Sequence, residues 1–124
     1  MVLRKKIMIL EDDEATAELL KFYIQEEGFD VIVSTRGNNF LKKVREYQPD
    51  LITLDVLLPD ANGFTILKEL QNNESTRNIP VIFITVREDE KEQGIMMGAS
   101  GYIIKPFNEK ELKNTIRSIT DSED

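Results

Sequence analysis

The sequence predicts an α/β fold: a (βα)5 doubly wound, five-stranded parallel sheet with helices on both faces. Three observations lead there. Strand-like and helix-like segments alternate five times over 124 residues. Most of the strand-like runs are apolar without polar alternation, as expected of parallel strands covered on both sides. Charged or hydroxyl residues repeatedly end or follow those runs, so one edge of the sheet is being furnished with chemistry.

The apolar runs are Ile7–Leu10, Val31–Val33, Leu51–Leu54, Val81–Val86 and Tyr102–Ile104. After the first, Ala15 to Glu27 carries Leu19, Leu20, Tyr23 and Ile24 at helical spacing and ends at Gly28, a C-cap residue. Asp13, just before it, suits a helix N-cap. Phe40, Leu41, Val44 and Tyr47 form the second helical stripe, closed by Pro49. The third stripe is Phe64, Ile66, Leu67 and Leu70, with Pro59 and Gly63 read as loop and helix-entry residues. The segment Glu88 to Met97 is the weakest helix, crowded with charge and interrupted by Gly94, so it is expected to be loosely held. Leu112, Ile116 and Ile119 follow Asn108, an N-cap, with Glu111 three residues on. One domain over residues 1–120 is expected, with 121–124 a frayed tail or the start of a linker.

Of the two common strand orders for such sheets, the flavodoxin-like 2-1-3-4-5 is expected here. Ligands then bind beyond the carboxyl ends of the strands, where the winding reverses between strands 1 and 3. Glu11-Asp12 follows the first of these strands and Asp55 the second. Topology and charge select the same place independently.

Composition excludes much. The chain is 40% hydrophobic and 31% charged, the balance of a soluble globular domain. No apolar stretch reaches the roughly 18 residues of a membrane span, and the N-terminus lacks a signal-peptide cleavage site, so a cytoplasmic location without membrane association is expected. A net charge of −7 argues against direct nucleic-acid binding. Without Cys or His there is no disulfide, no thiol nucleophile, no Ser-His-Asp triad and no histidine ligand for zinc. Any metal must be held by oxygen, which indicates Mg²⁺, with Mn²⁺ as the alternative.

Carboxylates brought together at a strand edge repel. Two unit charges 4 Å apart cost about 4 kcal/mol at an effective dielectric of 20. A divalent cation converts that repulsion into ligation. An Asp beside the cation can act as a nucleophile and form an acyl phosphate. Lys105 and the Thr85 hydroxyl would then supply charge and a donor to the phosphoryl oxygens. Pro106 after Lys105 would fix that lysine's direction, a cis bond being one route.

The chain resembles the CheY-like receiver domains of two-component response regulators over essentially its whole length. The likeness is carried by Ile7-Met8-Ile9-Leu10-Glu11-Asp12-Asp13-Glu14, Asp55-Val56-Leu57-Leu58-Pro59-Asp60-Ala61-Asn62-Gly63, Ile79-Pro80-Val81-Ile82-Phe83-Ile84-Thr85 and Gly98-Ala99-Ser100-Gly101-Tyr102-Ile103-Ile104-Lys105-Pro106-Phe107. The resemblance implies that Asp55 accepts a phosphoryl group from a phosphohistidine donor. It implies that Asp12 ligates Mg²⁺, helped by Glu11, with Asp55 and the backbone carbonyl of Leu57 completing the protein ligands. Lys105 would pair with the phosphoryl group, Thr85 would hydrogen-bond it, and Tyr102 would turn inward with Thr85 as the switch aromatic. Implied partners are a sensor histidine kinase or histidine phosphotransfer protein, and a downstream target or a missing output domain. A phosphorylation-dependent homodimer through helix 4, strand 5 and helix 5 is also within the family's repertoire. The chain would not be a turnover enzyme, only accepting and slowly losing one phosphoryl group.

Three residues depart from or add to the family pattern. Val86 follows Thr85 where a small residue is usual, which would narrow access to Asp55. Leu57 cannot hydrogen-bond an attacking water, which favours a long-lived phosphoryl group. Arg87 adds a positive charge at the rim with no assigned role. The rival readings are a receiver-like binding module that works without phosphorylation, and an aspartyl-phosphate phosphatase or phosphotransferase. The second is disfavoured because Leu57 stands where such enzymes place an acid.

Overall fold

In a computed structural model, which describes residues 4–121, five strands form one parallel sheet in the order β2-β1-β3-β4-β5. The strands are β1 (Lys6–Leu10), β2 (Asp30–Ser34), β3 (Leu51–Leu54), β4 (Val81–Thr85) and β5 (Gly101–Ile104). The helices are α1 (Glu14–Glu26), α2 (Phe40–Tyr47), α3 (Gly63–Gln71), α4 (Lys91–Met96) and α5 (Glu109–Asp121). The expected doubly wound topology is the observed one. Residues 122–124 of the tail read from the sequence lie outside the described residues, while Asp121 is the last residue of α5 rather than part of a tail.

Side-chain alternation along buried strands builds two cores. Met8, Leu10, Ile52, Leu54 and Phe83 face α2 and α3, together with Phe40, Val44, Phe64 and Leu67. Ile7, Ile9, Leu51, Ile82 and Ile84 face α1 and α5, meeting Leu20, Ile24, Leu112 and Ile116. β3 and β4 are buried at every residue, the reason their sequences show no polar alternation. β2, one of the two edge strands, alternates from Asp30 to Val33, with Asp30 and Ile32 exposed.

Caps hold the helices that enter the site. Thr16 N donates to Asp13 Oδ2 at 2.9 Å, so Asp13 caps α1. Phe64 N donates to Asn62 Oδ1 at 2.8 Å at the start of α3, and Glu111 N donates to Asn108 Oδ1 at 2.7 Å at the start of α5. The expected helix from Glu88 to Met97 differs in form. It divides into a single 3-10 turn at Glu88–Glu90 and the short α4. Gly94 is no interruption: it lies buried inside α4 because a Cβ there would stand 2.9 Å from Tyr102 Cε2.

α1 and α5 are tied by charge. Lys113 Nζ lies 3.0 Å from Glu26 Oε1 and 2.6 Å from Glu109 Oε1, and Arg117 Nε donates to Glu27 Oε1. The Arg117 hydrogen bond holds the Glu27 carboxyl below its ordinary value of 4.5. A depressed carboxyl contributes stability that is present above its unfolded pKa and lost as pH falls through the folded one. Urea melts of Arg117→Ala should therefore differ from the parent above about pH 4.5 and converge below Glu27's pKa. An unchanged difference at low pH would show that Arg117 acts by packing alone.

Candidate functional site

Strand register sets the site. Leu10 pairs with Leu54 and Thr85 with Ile104, so the residues that follow leave the sheet level with one another. Asp55 N donates to Leu10 O at 3.3 Å, and Lys105 N donates to Thr85 O at 2.8 Å. Glu11 and Asp55 thus stand side by side at the winding reversal between β1 and β3. Lys105 reaches in from β5, and the Lys105-Pro106 peptide is cis.

Glu11 is 1% exposed and Asp55 7%, while Asp12 faces solvent. Carboxylate oxygens of all three lie within 4.8 Å of one another. Lys105 Nζ donates to Asp55 Oδ2 at 2.7 Å. It also sits 2.6 Å from Glu11 Oε1, but off the angles of a hydrogen bond, so that contact is an ion pair and Glu11 Oε1 is buried with no hydrogen-bond donor. Asp13 N donates to Glu11 Oε2 at 3.1 Å, and Leu57 N donates to Asp55 Oδ1 at 3.2 Å. Burial pushes the Glu11 carboxyl above its usual range against the pull of Lys105 and the Asp13 amide. Burial pulls on Lys105 in the other direction, yet the Asp55 hydrogen bond and the charges of Asp55 and Glu11 prevail and hold it above the ordinary lysine value.

One ammonium therefore faces three carboxylates. A buried carboxylate oxygen without a hydrogen-bond donor, an all-oxygen donor set and this charge imbalance fit a hard divalent cation.

The remaining sequence candidates lie around this cluster. Thr85 is fully buried at the end of β4, but its Oγ1 accepts from Arg87 N at 3.3 Å, and among the described residues no hydrogen bond joins that hydroxyl to Asp55 or to the Lys105 ammonium. Val86 falls outside β4 and is 60% exposed. The Leu57 side chain is 48% exposed beside its own amide's bond to Asp55. Tyr102 is buried, its ring 5.7 Å from that of Phe83, and its hydroxyl donates to Arg87 O.

Two supports escaped the sequence reading. Asp60 accepts from Gly37 N and Asn38 N, each at 2.9 Å, and so ties the loop after β2 to the loop after β3. Gly63 N donates to Val56 O at 2.8 Å so closely that no side chain fits at Gly63. An Asp at a loop tip and a Gly before a helix signal turns, not long-range braces.

Residues 7–117 match the family of response regulator receiver domains. The chain belongs to that family. Among curated relatives, this receiver is 34% identical over 119 residues to the alkaline phosphatase synthesis transcriptional regulatory protein PhoP of Bacillus subtilis, covering 94% of this chain and 49% of that protein. It is 36% identical over 118 residues to the DNA-binding response regulator MtrA of Mycobacterium tuberculosis, covering 94% and 50%. The chain thus spans about half the length of the curated relatives it matches. Among solved structures, the BeF3-activated N-terminal receiver domain of Klebsiella pneumoniae RstA superposes with a TM-score of 0.84 at 28% identity, covering 93% of this receiver and 97% of that chain. Receiver domains generally use Mg²⁺ and partner with histidine kinases, and the acid cluster of this receiver could hold such an ion. Among the described residues no helix is long and apolar enough to cross a membrane.

Proposed function

We propose that this receiver takes one phosphoryl group from a phosphohistidine donor onto Asp55. The observation that supports the reading best is the Asp55 carboxylate itself. It is nearly buried, held between the Leu57 amide and Lys105 Nζ, and set beside two further acids. A carboxylate oxygen of Asp55 attacks phosphorus, the P–N bond to the donor imidazole breaks, and the imidazole leaves with the bonding pair. Lys105 is placed to turn from its two carboxylates toward the phosphoryl oxygens. The Thr85 oxygen accepts from Arg87 N, which leaves its proton available for one of them. Glu11, Asp12, Asp55 and the Leu57 carbonyl would hold Mg²⁺, or Mn²⁺ in its place. When bound, such a cation offsets the negative charge that gathers as phosphoryl oxygens approach the acids.

With no His among these residues, the phosphoryl group comes from another molecule, a sensor histidine kinase or a histidine phosphotransfer protein. The chain forms one receiver unit over 1–120, works in the cytoplasm, and reports to a downstream target or an output domain. The relatives' printed names favour transcriptional output. The reporting face is α4, β5 and α5, where Ile95 and Met96 are 45% and 80% exposed among acids of α4 and the turn before it. A phosphorylation-dependent homodimer there must set Glu88 and Glu92 against cations of the second copy. Lys113 and Arg117 of α5 are already engaged with α1.

Acetyl phosphate with Mg²⁺ should add the mass of one phosphoryl group to the protein and none to Asp55→Ala. No metal-dependent gain in the parent would leave the non-phosphorylated binding module as the surviving reading. In the same assay the exposed Leu57 side chain predicts slow loss of the label, hastened in Leu57→Asn. A lifetime of seconds, unchanged by that substitution, would remove Leu57 from the account.

A further inference from the structure

Arg87 is the charged residue near the site that the phosphoryl chemistry does not use. Its backbone bonds on both sides. Arg87 N donates to Thr85 Oγ1 at 3.3 Å, and Arg87 O accepts the Tyr102 hydroxyl. One residue therefore joins the hydroxyl nearest the site to the aromatic of β5. Its side chain is equally committed. Nε and Nη2 donate to the two Asp89 oxygens at 3.1 and 3.0 Å, and Nη2 lies 2.7 Å from Glu90 Oε1. Both acids belong to the 3-10 turn that follows Arg87 directly. The other oxygen of Glu90, Oε2, is buried with no hydrogen-bond partner, so Arg87 is the counter-charge that this carboxylate has.

Tyr102 is held inward from the other side too. Gly94 of α4 leaves only backbone against the ring, since a Cβ there would stand 2.9 Å from Cε2 and 3.0 Å from Cδ2. Burial, then the charges of Glu90 and Asp89, push the Tyr102 phenol up to about 12, so it stays a donor throughout the physiological range.

We propose that Arg87 is a positioning residue of the switch: its guanidinium, clamped by Asp89 and Glu90, fixes the turn whose carbonyl holds Tyr102 inward before any phosphoryl group arrives. The inference rests on Thr85 and Tyr102 being the reporting pair. Thr85 can donate its proton toward a phosphoryl oxygen while still accepting from Arg87 N, so a shift of Thr85 is passed through the backbone of one residue to the turn and to Tyr102. The clamp sets the resting position of that relay. A receiver with a weaker clamp rests with Tyr102 outward.

The test needs no phosphodonor, so it separates this inference from the reading of Asp55. In the wild-type protein the Gly94 α-protons lie against the Tyr102 ring, and proton NMR should show ring-current-shifted Gly94 resonances with a cross-peak to the ring. Arg87→Ala should lose both while the melt stays cooperative. Arg87→Lys should restore them in part, because one ammonium can face Glu90 but cannot chelate Asp89. Glu90→Gln reads the same contact, with the same expected weakening, if Arg87→Ala does not fold. A Gly94–Tyr102 contact that survives in Arg87→Ala, or in Glu90→Gln where only that variant folds, overturns the inference. Labelling of Asp55 by acetyl phosphate in those variants would show that the site reading stands without it.

Discussion

Lys105→Ala should destabilise the metal-free protein by about 3 kcal/mol, the low end for removing one partner of a buried ion pair. For a domain of this size that is a fall in Tm of about 10 °C. The reason is local. Among the described residues Lys105 is the single cation within bonding distance of both Glu11 and Asp55, and those carboxylates are nearly inaccessible to water. Without it, two like charges remain side by side with no counter-charge. The site's opening at the exposed Asp12 keeps the figure from being larger. Two controls identify the cause. Lys105→Ala with Asp55→Asn should recover stability relative to Lys105→Ala alone, because one of the stranded charges has gone. Millimolar Mg²⁺ should raise the Tm of Lys105→Ala more than that of the parent, because a cation bound only by the folded site stabilises it by mass action. If the double variant is as unstable as the single one, Lys105 contributes through its packed methylenes, and the carboxylates do not repel as their spacing requires.

The acids and Lys105 were legible because parallel strands in register convert sequence position into spatial position. A charged residue directly after a buried run must emerge at one edge, and β1 and β3 end together, Leu10 beside Leu54. The same logic placed Thr85 at that edge. It could not say which neighbour the hydroxyl would bond, and the neighbour is Arg87 rather than Asp55. Local pattern failed most clearly in the segment from Glu88 to Met97. Three consecutive acids and a glycine read as a weak helix, whereas Arg87 holds two of those acids, Asp89 and Glu90, and the glycine makes room for Tyr102. Both causes are specific side-chain contacts, one within the turn and one to β5, which propensity does not encode. Edge strand β2 shows a similar limit. Its run Val31–Val33 reads as continuous apolar sequence, yet its position at the edge of the sheet leaves Asp30 and Ile32 exposed while Ser34 is buried.

Gly63 carries the second large effect, and it was read from sequence as no more than a helix entry. A Cβ at Gly63 would stand 2.2 Å from Asp55 O and 3.0 Å from both Asp55 C and Val56 Cα. Every one of those atoms is backbone, so no side chain can move aside. Gly63→Ala must push α3 off the end of β3 or twist the peptide that carries Asp55. It should cost about 3 kcal/mol, the upper range for overpacking, despite alanine's better helix propensity. Labelling of Asp55 by acetyl phosphate should slow as well, because the displaced peptide carries the carboxylate away from the Leu57 amide and Lys105. Gly28→Ala is the comparison. Gly28 has φ +93 and nothing within 4 Å of a built Cβ, so alanine there should meet only backbone strain, about 1 kcal/mol, with labelling unaffected. Both are glycines at helix boundaries, and their sequences give no reason to rank them. The ranking comes from where the strand before α3 ends: α3 must start against the very peptide that bears Asp55. Equal losses of stability and labelling in the two variants would mean that this close approach does not hold Asp55 in place.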